Sequence, residues 1–461
     1  MTTSLTDHSD YSDPPSSPPS GQATGNKKSR VIIASTIGTT IEFYDFYAYA
    51  TAAIIVFPHL FFPENENSTV GLLASLATFG LAFVARPVGS VLFGHFGDRI
   101  GRKATLIGAL LTMGIATFII GLLPTYEQIG LWAPALLALM RFCQGLGLGG
   151  EWSGAALLAT ENAEDGKRAR AAMWPQLGAP FGFILANGLF LILVLALDHT
   201  HGEPGGAFMT WGWRVPFLLS AVMVVVGLYV RFKLEETPVF QDTLDKGEDV
   251  KVPTVEVFRT AWRPVLLGTF VMVSTYTLFY LVTTWFLSFG IGDREAGEGL
   301  GIPYNHFLVI QLVTVLFFVV GVPLAGHLSD TVGRRRYLTA VSVLVLAYSC
   351  AFQAFLDPAT SGELKAGVFL GIGMFLMGLI FGSMSAVLPE MFPTNVRYTG
   401  SGIAYNLASI LGAAVAPFIA VALATSHGPW AVGVYLGVVV LISLIAIRLM
   451  PETRDADLYT V

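Results

Sequence analysis

Apolar runs of about 20 residues, each long enough as a helix to cross a bilayer, recur along the whole chain. They fall near 31–57, 70–95, 104–124, 134–158, 171–197, 213–233, 264–290, 305–327, 337–356, 366–388, 399–425 and 430–449, which makes twelve. Composition agrees. Hydrophobic residues are 54% and charged residues 13%, with a mean hydropathy of +0.65, whereas a soluble domain averages about 25% charged. The expected fold class is an all-α membrane protein with twelve transmembrane helices.

Basic residues set the expected orientation, because cytoplasmic loops hold excess Lys and Arg. Lys27, Lys28 and Arg30 precede span 1; Arg99, Arg102 and Lys103 follow span 2; Lys167, Arg168 and Arg170 follow span 4. Six more surround the long loop after span 6, and Arg334, Arg335 and Arg336 follow span 8. Arg397, Arg448 and Arg454 complete the pattern, and the opposite loops offer only Arg294 and Lys365. Both termini and the central loop are therefore expected in the cytoplasm, with the chain in the cell (plasma) membrane. The formal net charge of −6 carries little information beside this placement. Cys143 and Cys350 lie in apolar segments and read as packing residues. Residues 1–29 are rich in Ser, Pro and Asp and read as a disordered cytoplasmic tail with no cleavable signal peptide.

The chain also repeats itself. "GHFGDRIGRKA" (94–104) follows span 2, and "GHLSDTVGRRRY" (326–337) follows span 8, about half the chain later. Glu161 and Arg168 after span 4 are echoed at the same spacing by Glu390 and Arg397 after span 10. The expected organisation is two pseudo-symmetric six-helix halves, 30–233 and 263–450, joined by a linker at 234–262, with a short tail at 451–461. Parallel repeats of six spans with a site between them near the midplane are a transporter design. In the repeated loops Gly94, Gly101, Gly326 and Gly333 permit tight turns and close helix approach. Asp98 and Asp330 can sit against a helix terminus or an arginine, and Arg99, Arg102 and Arg334 anchor the loop at the anionic inner surface. These residues are the candidate gating loops.

Five ionisable residues lie well inside spans of the first half: Glu42, Asp45, Arg86, Arg141 and Glu151. Such residues are costly in lipid and usually face the bundle interior. At about 1.5 Å rise per residue, Glu42 and Arg86 reach a similar depth, with Arg141 nearer the outside and Glu151 nearer the inside. Glu42 and Asp45, three residues apart, share a helix face. Two carboxylates in a poorly solvated site are hard to ionise together, and a carboxyl that takes up and releases protons is what a proton carrier needs. Arg86 stays charged and offers a planar fork, either to those acids or to a substrate carboxylate. The competing account is a static ion-pair network that orders the helices. Tyr44, Tyr276 and Tyr280 offer hydroxyls or aromatic faces to a ligand, or serve packing. Gln353 and Asn406 could bond to substrate or link helices.

Several stretches carry a family resemblance. The loop at 94–103 and "RFCQGLGLGGE" (141–151) resemble motifs of the major facilitator superfamily. "IEFYDFYAY" (41–49), "ARPVGSVLFGHFGDRIGRK" (85–103), "GGEWSGA" (149–155), "WGWRVPFLLS" (211–220), "EETPVF" (235–240) and "LPEMFPTNVRYTGSGIAYN" (388–406) are similar to its metabolite:proton symporter family. Relatives there carry α-ketoglutarate, citrate, shikimate, or proline and betaine, each with protons. The resemblance implies the major facilitator fold and a symporter that imports a small carboxylate-bearing metabolite, such as a dicarboxylate, an α-keto acid or a shikimate-like acid. It raises a coupling or substrate role for Arg141. Glu42, Asp45, Arg141 and Glu151 are the candidates for proton coupling. Arg86, Arg141, Tyr44, Tyr276, Tyr280, Gln353 and Asn406 are the candidates for substrate binding. The alternatives are uptake of a zwitterionic osmolyte, uptake of a sugar, or a transporter-like sensor. The short segment after span 12 counts against a sensor.

"GLGLGG" (145–150) matches a dinucleotide fingerprint in form only, since it lies inside a membrane helix rather than after a strand. His199 and His201 in an outer loop do not make a convincing metal site. No enzyme motif is present, so neither cofactor nor metal is expected. The expected partners are a small-molecule substrate, protons and the lipid bilayer, with no nucleic acid, and the chain is expected to be a monomer.

Overall fold

The computed structural model describes residues 28–63, 68–100, 102–149, 166–197, 206–232, 253–393 and 396–454, with 152, 156–157, 159–160 and 163. The described chain makes twelve helical passes. In the first six, α1 is Lys28–Ile55, α2 Ser68–Ile100, α3 Arg102–Leu122 and α4 Trp132–Leu148. They continue with α5, formed by Arg168–Gln176 and Gly178–Ala196, and α6, Val215–Phe232. In the last six, α7 runs Trp262–Tyr280, then a π-helical segment Leu281–Trp285, then Phe286–Ile291. Next come α8 (Tyr304–Val332), α9 (Arg334–Ser349) and α10 (Glu363–Glu390). α11 runs Arg397–Ser409, a π-helical segment Ile410–Ala414, then Ala416–His427, and α12 is Pro429–Leu449. The region read as a linker contains a further helix, Pro253–Thr260, that packs against α11.

Eight described helices are long and apolar enough by themselves to cross a membrane. The other four passes are α1, which carries Glu42 and Asp45, and α3, α4 and α9, whose described apolar stretches are shorter. A chain of this kind tolerates weaker spans because neighbouring helices cover their polar positions.

The two sets of six pack alike. α1 meets α5, α2 meets α4, and α3 meets both α4 and α6; correspondingly α7 meets α11, α8 meets α10, and α9 meets both α10 and α12. The sets join along two seams, α5 against α8 and α10, and α2 against α11. Lipid gives helices no hydrophobic drive to associate, so close backbone approach and interhelical hydrogen bonds must hold them. Gly145 of α4 illustrates this. A methyl group there would collide with the Ala82 backbone of α2.

Candidate functional site

Between the two sets of helices lies a small cavity of about 10 Å³, roughly the room needed for one water. Its polar lining is Arg86 of α2, Thr275, Tyr276 and Tyr280 of α7, and Tyr405 of α11. Phe43 of α1, Phe279 of α7 and Phe381 of α10 supply the apolar walls. Phe43 touches both of the others, with ring centroids 5.8 and 6.0 Å apart, so this aromatic seam joins the two sets of helices. Tyr405 stacks on Trp152 at 3.8 Å, with planes 9° apart.

Arg86 is buried and donates to Glu42 Oε1 at 3.2 Å. Its guanidinium also lies over the rings of Phe46 and Phe83, 4.8 and 5.2 Å from their centroids. The sequence left Arg86 undecided between the acids and a substrate. In this closed arrangement it holds Glu42 while facing the cavity.

Asp45 enters a different network. Three helical residues turn the chain about 300°, so Glu42 points toward α2 and Asp45 toward α3 and α4. Asp45 Oδ2 accepts from the Thr117 hydroxyl at 3.0 Å, and Gln144 Nε2 donates to the same hydroxyl oxygen at 2.8 Å. Arg141 donates to Gln144 Oε1 and, at 3.4 Å, to the Phe79 carbonyl. Its guanidinium is packed over Tyr49 at 4.1 Å and Phe46 at 4.5 Å. Both acids and both arginines are buried. The two carboxylates, neighbours on α1, thus enter two different acid–arginine networks.

One end of the bundle is latched. Asp330, on the last turn of α8, accepts from the backbone N–H groups of Ala169 and Arg170 at the start of α5, both at 3.0 Å. It also accepts from Arg334 at 2.8 Å. Arg334 forks onto Glu390 of α10, with both bonds at 3.0 Å, and Arg168 approaches Glu390 at 3.9 Å. Gln176 donates to the Phe381 carbonyl at 2.8 Å, and Ser385 to that of Ala172 at 2.8 Å. On the other seam Asn406 donates to Ser90 at 2.8 Å and to the Gly149 carbonyl at 3.3 Å, while Ser90 donates to that same carbonyl. Toward the opposite end Thr69 donates to Glu298 at 3.1 Å.

The sequence candidates divide accordingly. Arg86, Tyr276 and Tyr280 line the cavity, and Glu42 reaches it through Arg86. Asp45 and Arg141 form the second network. Asn406 is a link between helices. Tyr44 is directed elsewhere, its hydroxyl donating to the Pro216 carbonyl of α6 at 2.8 Å. Gln353 is exposed on the short helix Phe352–Leu356, and is not among the cavity's lining residues. Of the repeated loop, Asp330 and Arg334 form the latch and Gly326 packs against Ala169 and Met173. Gly333 takes φ 99°. Gly101, Glu151, His199 and His201 lie outside the described residues, as do Gly94 and the side chains of Asp98, Arg99 and Arg102.

Sequence reasoning missed Thr117, Gln144, Trp152 and Tyr405, and did not give Glu390 a site role. Gln144 stood one helical turn from Arg141, and Tyr405 stood beside Asn406, so both had a positional signal. Thr117, one of three threonines in the apolar run 104–124, had none. Among the described residues, no group of three or more His, Cys, Asp or Glu could hold a metal ion.

Fold and comparison agree on the class. The chain belongs to the major facilitator superfamily, whose model matches residues 36–410 and 309–458. This is a family of multi-pass membrane transporters rather than enzymes. The chain is 52% identical to the inner membrane metabolite transport protein YhjE of Escherichia coli (strain K12), over 94% of this chain and 96% of that protein. It is 35% identical to the shikimate transporter of the same organism, over 95% of this chain and 98% of that one. In fold it is similar to the proton:xylose symporter XylE bound to 6-bromo-6-deoxy-D-glucose. The TM-score is 0.70 at 16% identity, over 94% of this chain and 98% of that one.

Proposed function

We propose that this transporter is a symporter that imports a small carboxylate-bearing metabolite together with protons. The observation that carries this reading is Arg86, a buried guanidinium that lines the cavity while it holds Glu42. A fork of this kind matches a carboxylate in a bidentate manner. Three tyrosine side chains beside it, Tyr276, Tyr280 and Tyr405, give the rest of a small polar acid hydroxyl partners and ring faces. The likeness to a shikimate transporter supports the same substrate class.

The pairing suggests how proton and substrate are linked. While Glu42 is ionised it competes with the substrate for Arg86. A proton on Glu42 removes that competitor and frees Arg86 for the incoming carboxylate. Asp45, held by Thr117 and connected through Gln144 to Arg141, is the second proton site. A monoanion entering with one proton moves no net charge, whereas a second proton adds about 2.3 kcal/mol of drive per 100 mV.

Access alternates as the two sets of helices rock about the cavity. The described state is tied at both ends, by the Asp330–Arg334–Glu390 latch and by Thr69–Glu298. The excess of basic residues supports an orientation with the latched end, both termini and the 234–262 linker in the cytoplasm, and the reading takes the transporter as a monomer in the cell (inner) membrane. By the sequence repeat, Asp98, Arg99 and Arg102 are the proposed counterparts of Asp330 and Arg334 in the gate, and Glu151 is a further candidate for proton coupling.

The test is a thermal-stability screen of the purified protein against monocarboxylic, dicarboxylic and shikimate-like acids, betaine and xylose. Proton-gradient-driven uptake of the stabilising compounds into proteoliposomes then follows. Stabilisation by acids, lost in Arg86→Lys, is expected. Stabilisation by xylose alone overturns the carboxylate reading, and stabilisation by betaine alone replaces the acid with a zwitterionic osmolyte.

A further inference from the structure

A second concavity, of about 670 Å³, lies at the latched end between the start of α9 and the end of α12. Arg335, Arg336, Thr339, Arg448, Glu452 and Arg454 are among its lining residues. Four arginines and one carboxylate thus line it; the carboxylate is already engaged, and Arg454 donates to the Thr331 carbonyl at 3.1 Å. Glu452 Oε1 accepts from the backbone N–H groups of Arg334 at 2.8 Å and Arg454 at 3.2 Å, and Oε2 from that of Arg335 at 3.1 Å. The groove therefore keeps a surplus of positive charge in the form of forks that suit a phosphate. Arg336 and Arg448 are exposed, and so are the apolar residues Val332, which lines the groove, and Leu449, which follows Arg448 in sequence. A concave basic site bordered by exposed apolar side chains, at the end of membrane helices, matches a headgroup above its acyl chains.

We propose that this groove binds the phosphate of an anionic phospholipid, and that the bound lipid steadies the latch. The two share a residue. Arg334 presents its backbone N–H to Glu452 in the wall of the groove, while its guanidinium grips Asp330 and Glu390. Thr453, the next residue, donates to Glu390 at 2.8 Å. A headgroup that pins Arg335 and Arg448 together therefore holds the start of α9 and the C-terminal segment in the position that the closed latch requires. This inference does not depend on which substrate is carried.

The experiment uses the purified full chain in detergent with phosphatidylglycerol, phosphatidylcholine or inorganic phosphate. Bound lipid is counted by native mass spectrometry and stability is read as Tm. The wild-type chain is expected to retain phosphatidylglycerol over phosphatidylcholine, with a higher Tm. At surface-charge strength, losing two arginines in Arg335→Gln/Arg448→Gln weakens phosphatidylglycerol binding roughly thirtyfold. A matched pair outside the groove, Arg259→Gln/Arg263→Gln, is expected to leave that binding unchanged. Should the first double variant not purify folded, Arg336→Gln alone is expected to weaken binding roughly fivefold. Three results would each overturn the proposal: no preference for phosphatidylglycerol, equal loss in the two double variants, or a full Tm shift from inorganic phosphate alone.

Discussion

Arg86 and Glu42 form a buried pair, and breaking such a pair by removing one partner costs about 3–5 kcal/mol. Arg86→Ala is therefore expected to lower Tm steeply, which confounds a transport measurement. Arg86→Lys keeps the charge but loses the fork. It is expected to reduce uptake at least roughly tenfold, about 1.4 kcal/mol, with a smaller change in Tm than Arg86→Ala. Asp45→Asn keeps the hydrogen bond from Thr117 available while removing the proton site. It is expected to abolish gradient-driven accumulation yet spare counterflow exchange. Full accumulation in Asp45→Asn would remove Asp45 from the coupling scheme. At this scale the sequence was informative about residue type and weak about partners. Ionisable groups in apolar runs announced Glu42, Asp45, Arg86 and Arg141. Which acid meets which arginine depends on the rotation of α1 against its neighbours, which a single sequence does not encode. The same limit applied to Tyr44, whose ring pattern equalled that of Tyr276 although its hydroxyl is taken by a carbonyl of α6.

At the level of helices the latch depends on the end of α8 meeting the start of α5. Asp330 places a carboxylate on two free N–H groups, where the helix dipole favours negative charge by about 0.3–2 kcal/mol. Asp330→Asn weakens that contact and the Arg334 pair together. The expected outcome is a population shift toward opening at the latched end. It is measurable as faster thiol labelling of Ser385→Cys, which is buried against the Ala172 carbonyl when the latch is closed. The assay needs Cys143 and Cys350 replaced. An increase of roughly tenfold is expected from the combined loss, and an unchanged rate would remove Asp330 from the gate. Gly333 joins α8 to α9 at φ 99°, ψ 150°, a conformation that costs other residues about 1–3 kcal/mol. A methyl group there would also press on Glu452. Gly333→Ala is expected to lower Tm and to loosen the same latch. The repeat in the sequence marked Gly333, Asp330 and Arg334 as a unit. It was silent about Glu390 as their partner, because that contact crosses from α9 to α10 and is visible only after the helices are packed.

For the whole molecule, hydropathy and the half-chain repeat made the helix count and class legible, because membrane spans must be long, apolar and internally hydrogen-bonded. The π-helical segments in α7 and α11 were not legible, since a one-residue bulge leaves no mark on hydropathy. The size of the central cavity was equally hidden, being set by how Phe43, Phe279 and Phe381 meet. Those rings close the path between two sets of helices that must separate for a substrate to pass. The central claim is that Glu42 and the substrate share Arg86, so that proton uptake on Glu42 accompanies binding. The direct measurement is calorimetric titration of the protein with its best stabilising acid, in buffers of differing ionisation enthalpy. The account predicts uptake of about one proton per bound carboxylate in the wild-type chain. In Glu42→Gln it predicts binding that persists without that proton. Binding with no proton uptake in the wild-type chain, or the same uptake in Glu42→Gln, would contradict it.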